Sequence, residues 1–288
     1  MKQVSLIFFF ILFVIQNANA QKINKMNTAI KSEKHISSSI LLWMRPDIPR
    51  QESMDRWKGS HARIISANKG LLEYRQIHFF ENQKGLWPSI PNVETSIAKE
   101  RKIDGIADVT LKNLFSIFRG KKQNNLAALD EINMFKRTIL YAAMGNNSHW
   151  FQVANPNEKI GARSMVFFRI REGISEKDFQ NFINDELTPT LANMGVLKEL
   201  RNKVYMPWKE KQWNTPNVEH DNARAVQFEA SLILGFTNKA EMEAFFNSEN
   251  VKKLSDRIAI FCSAVHAYDV QETLTFVKEG KELKEPLK

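Results

Sequence analysis

"PNVE" occupies residues 91–94 and recurs at 216–219, an offset of 125 residues. One repeated tetrapeptide decides nothing, because a chain of this length shows one by chance about once in four. A second match at the same offset does. "ANKGLLEYR" (Ala67 to Arg75) and "ANMGVLKEL" (Ala192 to Leu200) share Ala, Asn, Gly and Leu in register, again 125 residues apart. Two blocks at one spacing predict a duplicated unit.

The elements around those blocks follow one order twice. "SSSILLWMR" (Ser37 to Arg45) is a β-rich strand stopped by Pro46 and Pro49. A helix over 51–68 carries Met54, Trp57, His61, Ile64 and Ile65 at three- and four-residue steps and closes at Gly70. Strands in "LLEYRQIHFF" and "DGIADVTL" (Asp104 to Leu111), helical "NNLAALDEINMFKR" and a strand in "TILYAAM" complete the first copy. Pro, Asn and Gly cluster in "NPNEKIG" (Asn155 to Gly161) and mark a boundary.

Beyond it come a strand in "ARSMVFFRI" and a helix capped by Ser175, with Asp178 three residues on and Pro189 disturbing it near Leu187. Strands in "VLKELRNKVYM" and "ARAVQFEASLILGF", helical text over 239–261 and a strand around "AVHAYDV" follow.

Strand, helix, strand, strand, helix, strand is the split βαβ pattern. Each sheet would leave one face bare of helices, and burying the two bare faces together predicts an α+β fold. Its architecture is two tandem ferredoxin-like (βαββαβ) domains forming a pseudo-symmetric dimeric α/β barrel. Two such domains without a shared core are the alternative. The expected limits are a polar leader over 21–36, domains over 37–155 and 161–278, and a solvated basic tail over 279–288.

The N-terminal "MKQVSLIFFFILFVIQNANA" has one lysine, an apolar core too short to span a bilayer comfortably, and Ala18-Asn19-Ala20 at its end. It reads as a secretory signal cleaved after Ala20, so the protein is expected to be exported, periplasmic or secreted. An uncleaved anchor is the alternative. After cleavage the chain is not expected to be an integral membrane protein, since no later segment has the length or apolarity of a membrane helix. Cys262 is the only cysteine, so no internal disulfide supports an exported fold. The formal charge of +9 is scattered among acids, without basic runs interleaved with aromatics. That argues against nucleic acid as a partner and for solubility or attraction to an anionic cell surface.

"MRPDIPRQESMDRWKGSHARIISANKGLLEYRQIHF" followed by "DGIADVTL" resembles the EthD-like family of dimeric α/β-barrel proteins. Arg45, Trp57, His61, Tyr74, Asp104 and Gly105 match its pattern, with Asp108 at a usually acidic position. The resemblance covers roughly residues 38 to 145; at offset 125 His61 meets Glu186 and Tyr74 meets Glu199, so the family histidine is missing from the second copy. It implies a barrel that holds apolar or aromatic compounds, in some members for polyketide cyclisation or cofactor-free oxygenation. Related barrels use haem with a histidine ligand, for which His61 or His266 would serve. No cofactor or metal is expected from the residues themselves: there is no Gly-rich phosphate loop, G-x-S-x-G elbow, H-E-x-x-H or Cys-x-x-Cys, and the six histidines are dispersed.

The candidate catalytic residues are His61, Glu186, Tyr74 and Asp104. His61 shares a helical stripe with Met54, Trp57 and Ile64, where partial burial would suit proton transfer; a buried histidine bonded to backbone is the plain alternative. Glu186, beside Phe182 and Ile183, is either an inward base of raised pKa or an outward residue. Tyr74 and His78 share one face of their strand and Asp104 and Asp108 share one of theirs, so each pair lines a cavity or faces helices together.

Trp57, Arg45, His78, Asp108, Trp87 and Trp213 are the candidate ligand-binding residues, the last two as loop tryptophans that either close over a cavity or plug the barrel ends. The expected partner is a small hydrophobic or aromatic molecule. It would be transformed by acid/base or cofactor-independent oxygen chemistry, or only bound by an auxiliary protein with a filled barrel.

Overall fold

The computed structural model describes residues 30–154 and 158–288. The signal segment, most of the leader and the centre of the boundary at 155–157 lie outside the described residues. The fold described below is that of the unit Ser32–Lys288.

The first half runs β1 (Ser32–Met44), α1, β2 (Leu71–Phe79), β3 (Gly105–Leu111), α2 (Lys121–Glu131) and β4 (Phe135–Phe151). The second runs β5 (Ala162–Ile170), α3, β6 (Glu199–Val204), β7 (Ala230–Phe236), α4 (Lys239–Phe246), α5 (Glu249–Phe261) and β8 (Cys262–Lys278). Here α1 is the continuous helix Arg50–Arg56, Trp57–His61 and Ala62–Ser66, and α3 is Glu176–Asn181, Phe182–Leu187 and Thr188–Ala192. In both, the middle segment is wound as π-helix, at matching positions 125 residues apart. In α3 the cause is visible: Pro189 has no N–H to donate, and Thr188 Oγ1 takes up the Ile183 carbonyl at 2.6 Å.

Sheet order is β2-β3-β1-β4 in the first half and β6-β7-β5-β8 in the second. The halves join edge to edge, antiparallel, where β4 meets β6 and β8 meets β2. Eight of the described strands therefore close into one antiparallel barrel with the helices outside. Along β1, Leu41 and Trp43 enter the interior cluster, whereas Ile40, Leu42 and Met44 pack on Met54 and Trp57 of α1. A strand buried on both faces reads as a continuous apolar run, as "ILLWM" does.

The tail expected over 279–288 is instead a strand, β9 (Lys281–Leu287), folded back on β8 through a turn with Glu279 and Gly280 at positive φ. Its alternating Lys and Glu kept a solvent-facing edge strand from showing in the sequence.

The "PNVE" blocks explain how the halves hold each other. Asn92 and Asn217 both take left-handed backbone, φ 59° and 62°, which Asn tolerates better than most residues. The glutamate after each turn then lies parallel to the last strand of the opposite half, Glu94 beside Ala264 and Glu219 beside Arg137. The arm over 80–104 also sends Trp87 into the second half, where its Nε1 donates to Ser255 Oγ at 3.1 Å on α5. The arm over 205–229 sends Trp213 into the first half, where its Nε1 donates to Glu131 Oε1 at 2.9 Å on α2. Each half thus embraces the other with the same loop.

Strand pairing also corrects the offset. With Glu94 and Glu219 fixing Ala264 against Arg137, the register places Arg75 against Arg201 and Glu73 against Glu199, a spacing of 126. Tyr74 therefore corresponds to Leu200, and Glu199 does not stand in its place. The repeated Glu-x-Arg of "LEYR" and "KELR" is offset by one residue from the "ANKG" match and was hidden by it.

Candidate functional site

Across the closed end of the barrel the two Glu-x-Arg pairs exchange partners. Arg75 Nη1 donates to Glu199 Oε1 at 2.6 Å, and Arg201 pairs with Glu73. Asp108 accepts from Arg75 Nη2 at 2.9 Å and from Lys203, and Arg163 Nε reaches Glu199 Oε2 at 2.7 Å. Burial opposes the charge on Asp108, yet Lys203 and Arg75 outweigh it and hold its carboxyl below the usual carboxylate range. Every carboxylate here has a cation in contact, so this layer is a fixed lattice.

Above it the interior is filled. Phe79 stacks on Tyr268 with centroids 4.5 Å apart, and the equivalent pair, Tyr205 on Tyr141, stacks at 4.8 Å. Leu41, Ile77, Ile106, Ile139, Met165, Phe167 and Ile233 complete the plug.

Space opens at the mouth, past Tyr141. A cavity of about 110 Å³ is lined by Trp43, Glu94, Arg101, Tyr141, Arg169 and His266, with Phe228 between it and a more open aromatic cleft of about 350 Å³ bearing Phe179, Tyr205 and Trp208. The smaller cavity is rich in donors. Trp43 Nε1 and Arg169 Nε are buried and have no hydrogen-bond partner. Arg101 and Arg137 each lie over the Trp43 ring, at 5.9 and 5.7 Å. Arg137 is neutralised by Glu219 and Asp221, whereas Arg101 has no carboxylate within 4.0 Å among the described residues. Burial, then Arg137, pulls the Arg101 guanidinium below its ordinary pKa, the signature of a cation short of counter-charge.

The single carboxylate of the cavity is committed. Glu94 accepts from Arg169 Nη1 at 2.9 Å and lies 3.2 Å from His266 Nε2, within ion-pair reach but poorly aligned for a hydrogen bond. These contacts, His266 first, hold its carboxyl at about 2 against the effect of burial. Tyr141 Oη accepts from Asn222 Nδ2 at 2.8 Å and Phe228 N at 3.1 Å, and burial raises its pKa to about 12, so it stays a neutral hydroxyl.

The residues singled out from sequence lie elsewhere. Trp57, Tyr74 and His78 come together, but outside the barrel under α1: Trp57 stacks on His78 at 4.4 Å, and Gln76 bonds both Tyr74 Oη and His78 Nε2. Burial pushes His78 down to about 4, leaving it neutral. His61, on the same helix, pairs through Nδ1 with Asp130 at 3.1 Å and meets the edge of Phe135. Asp104 anchors the rim, accepting from Met44 N, Arg50 and Lys102. Asp108 is in the charged layer.

Glu186 projects outward to Arg257, whose hydrogen bond lowers its pKa. The inward base is thus replaced by a surface ion pair, although His61 at the matching place of the other π segment is buried. Arg45 pairs with Asp47 and the Ile132 carbonyl on the surface. Trp87 and Trp213 plug the helix layer of the opposite half, at neither barrel end.

Neither histidine suggested for haem fits one. His61 is enclosed by Asp130 and Phe135, and the cavity at His266 holds roughly four waters at about 30 Å³ each, far short of a porphyrin. Among the described residues no cluster of three or more His, Cys, Asp or Glu could hold a metal ion. None is a helix long and apolar enough to cross a membrane. Most mouth residues escaped sequence reading because they come from five separate segments; only Glu94, inside the repeated tetrapeptide, and His266, named as a possible haem ligand, were touched by it.

No protein-family model matches the chain, and no curated protein sequence matches it significantly. Solved structures do. A proposed monooxygenase from Lactobacillus acidophilus NCFM is 8% identical, covers 89% of this chain and 100% of its own, and gives a TM-score of 0.49. A second proposed monooxygenase, from Fusobacterium nucleatum, is 9% identical over 88% of this chain and 96% of its own, TM-score 0.49. A mutant chlorite dismutase from Candidatus Nitrospira defluvii is 6% identical over 85% and 95%, TM-score 0.44. At such identities these likenesses give no residue a role.

Proposed function

We propose that the protein binds a small molecule bearing a carboxylate or phenolate on a flat apolar body, held at the barrel mouth by Trp43, Arg101 and Arg169. One observation carries this reading: two buried donors without acceptors converge, with an unpaired guanidinium, on one enclosed space. Leaving a buried donor unmade costs about 1–3 kcal/mol, so a pair of them in a single cavity marks a place for acceptor oxygens. Trp43, Tyr141 and Phe228 supply flat apolar walls. Since an apolar cavity of about 150 Å³ accepts benzene, this space takes the anionic group and part of a small ring.

A second reading, in which the site also moves a proton, is favoured by Glu94 and His266: a carboxylate beside an imidazole in a cavity wall is the arrangement a general base needs. The EthD-like resemblance, export after Ala20 and descent from a tandem duplication belong to the same proposal. The last is supported by matching π segments, left-handed asparagines and exchanged arms.

Titration calorimetry with benzoate and with uncharged benzamide tests the binding. Benzoate is expected to bind and benzamide about tenfold or more weakly, as loss of a charge-assisted bond implies. Arg101→Ala should lower benzoate affinity about tenfold and Trp43→Phe about fivefold, on the same grounds. Equal affinity for the two compounds, or indifference to both substitutions, would remove the anion site. Should turnover of a phenolic compound be found and survive His266→Ala, the proton-transfer reading falls.

A further inference from the structure

We infer that Leu114–Phe118, with the cations that follow, is a docking point for an anionic lipid surface. The connection from β3 to α2 reads "KNLFSIFRGKK", and from Lys112 to Leu129 the chain has four cations and no acid. Its apolar side chains face solvent: Leu114 is 49% exposed, Phe115 73%, Ile117 49% and Phe118 78%, with Leu129 on α2 at 68%. The corresponding region of the second half buries its phenylalanines, Phe245 and Phe246 of α4, against Phe236 and each other. The exposure belongs to this copy and does not follow from the fold.

The tip is held rigidly. Ser116 packs so closely on Gly70 that a Cβ there would lie 2.7 Å from its carbonyl oxygen, and a Cβ on Gly120 would strike the Asn68 amide. Asn113 Oδ1 accepts from Ser116 N at 3.1 Å, and Ile117 N and Phe118 N bond back to Leu114 and Phe115 carbonyls. The tip thus meets many of its own backbone needs, as a segment entering a headgroup layer must. In the second copy the matching Gly195 has nothing within 4 Å of its position: the "ANMG" turn there holds no such tip.

Charge and size choose the occupant. Arg119, Lys121 and Lys122 form no ion pair with a carboxylate among the described residues, so they are free to meet anionic headgroups. The exposed apolar area of these side chains is on the order of 500 Å², taking aromatic side chains at about 200 Å² each. That is below the roughly 800 Å² per partner of a stable protein interface, but suited to shallow insertion beside basic residues.

The test reads this tip alone, in the full chain. Cys262 is buried, so Ile117→Cys offers a single accessible thiol for an environment-sensitive dye. With vesicles of phosphatidylcholine containing phosphatidylglycerol at about one third, emission should shift to the blue and brighten several-fold, as transfer to an apolar interface requires. Pure phosphatidylcholine should leave it unchanged, and adding Lys121→Gln with Lys122→Gln should weaken vesicle affinity about thirtyfold, at roughly a kcal/mol per lysine lost near the surface. No shift, even if the protein sediments with vesicles, overturns the proposal, as does an equal response to the neutral vesicles. A shift that tracks protein concentration without lipid assigns the tip to a second copy instead.

Discussion

Glu94 and Glu219 hold matching places on the two arms, yet their side chains enter different chemistry. Glu219 pairs with Arg137 and approaches Lys136 beside an open surface cleft that also takes in Arg45 and Asn217. Glu94 meets Arg169 and His266 in the wall of the mouth cavity. The divergence lies in the opposing strands: where β8 has His266, β4 has Ile139, and where β5 has Arg169, β1 has Trp43. The arms differ as well, since Arg101 corresponds to Val226, the two ending equivalent 3₁₀ turns at Lys99–Arg101 and Arg224–Val226. Backbone repetition thus secures the arms twice, while side-chain divergence brings the unpaired Trp43 Nε1 and Arg169 Nε to the wall of one cavity.

The sharpest break of the pseudo-symmetry is expected in the charged layer. Arg75 contacts three carboxylates, so Arg75→Ala should cost about 3–5 kcal/mol in urea unfolding, the usual result of orphaning buried charge. The equivalent Arg201→Ala should cost less, about 1–2 kcal/mol, because Glu73 and Glu199 both keep Arg75 and its side chain is more exposed. Equal losses would mean the two exchanged pairs are energetically alike. Next come the arm tryptophans. Trp87 is buried against Phe168 and Phe246, and Trp87→Ala should lose about 3 kcal/mol; Trp213, partly exposed, should lose about 2. Protection of the two arms in hydrogen exchange would show whether each substitution loosens only its own arm.

The smallest effect is a pH dependence on one arm. Glu94 has its folded pKa depressed from 4.5 to about 2, so its contribution is fully present above about pH 4.5 and fades as pH falls toward 2. Its carboxylate is 42% exposed, so screening limits the contribution to about 1 kcal/mol or less. Glu94→Gln should flatten this segment of the stability curve. An unchanged curve would show that the contact does not stabilise the arm.

Much of the fold was legible because it rests on local signals. Alternating and continuous apolar runs gave the strands, Gly70 and Ser175 bounded helices, and the doubled tetrapeptide marked the turns of the two arms. The one-residue slip between β2 and β6 was not legible, since a gap-free match set by the "AN-x-G" turns conceals it. The site was legible only in part. Period-two reasoning grouped Tyr74 with His78 but could not say that their face meets α1, and helical periodicity could not show that Glu186 turns outward to Arg257. Trp43, Arg101, Arg169 and His266 converge only when the barrel closes and the arms cross, which is tertiary information.

A crystal structure of the protein grown with benzoate tests the mouth cavity directly. The carboxylate should lie inside the mouth cavity, with its oxygens within hydrogen-bonding distance of Trp43 Nε1 and Arg169 Nε and near Arg101. Benzoate elsewhere, or Trp43 and Arg169 satisfied by protein groups in a cavity that has closed, would contradict it.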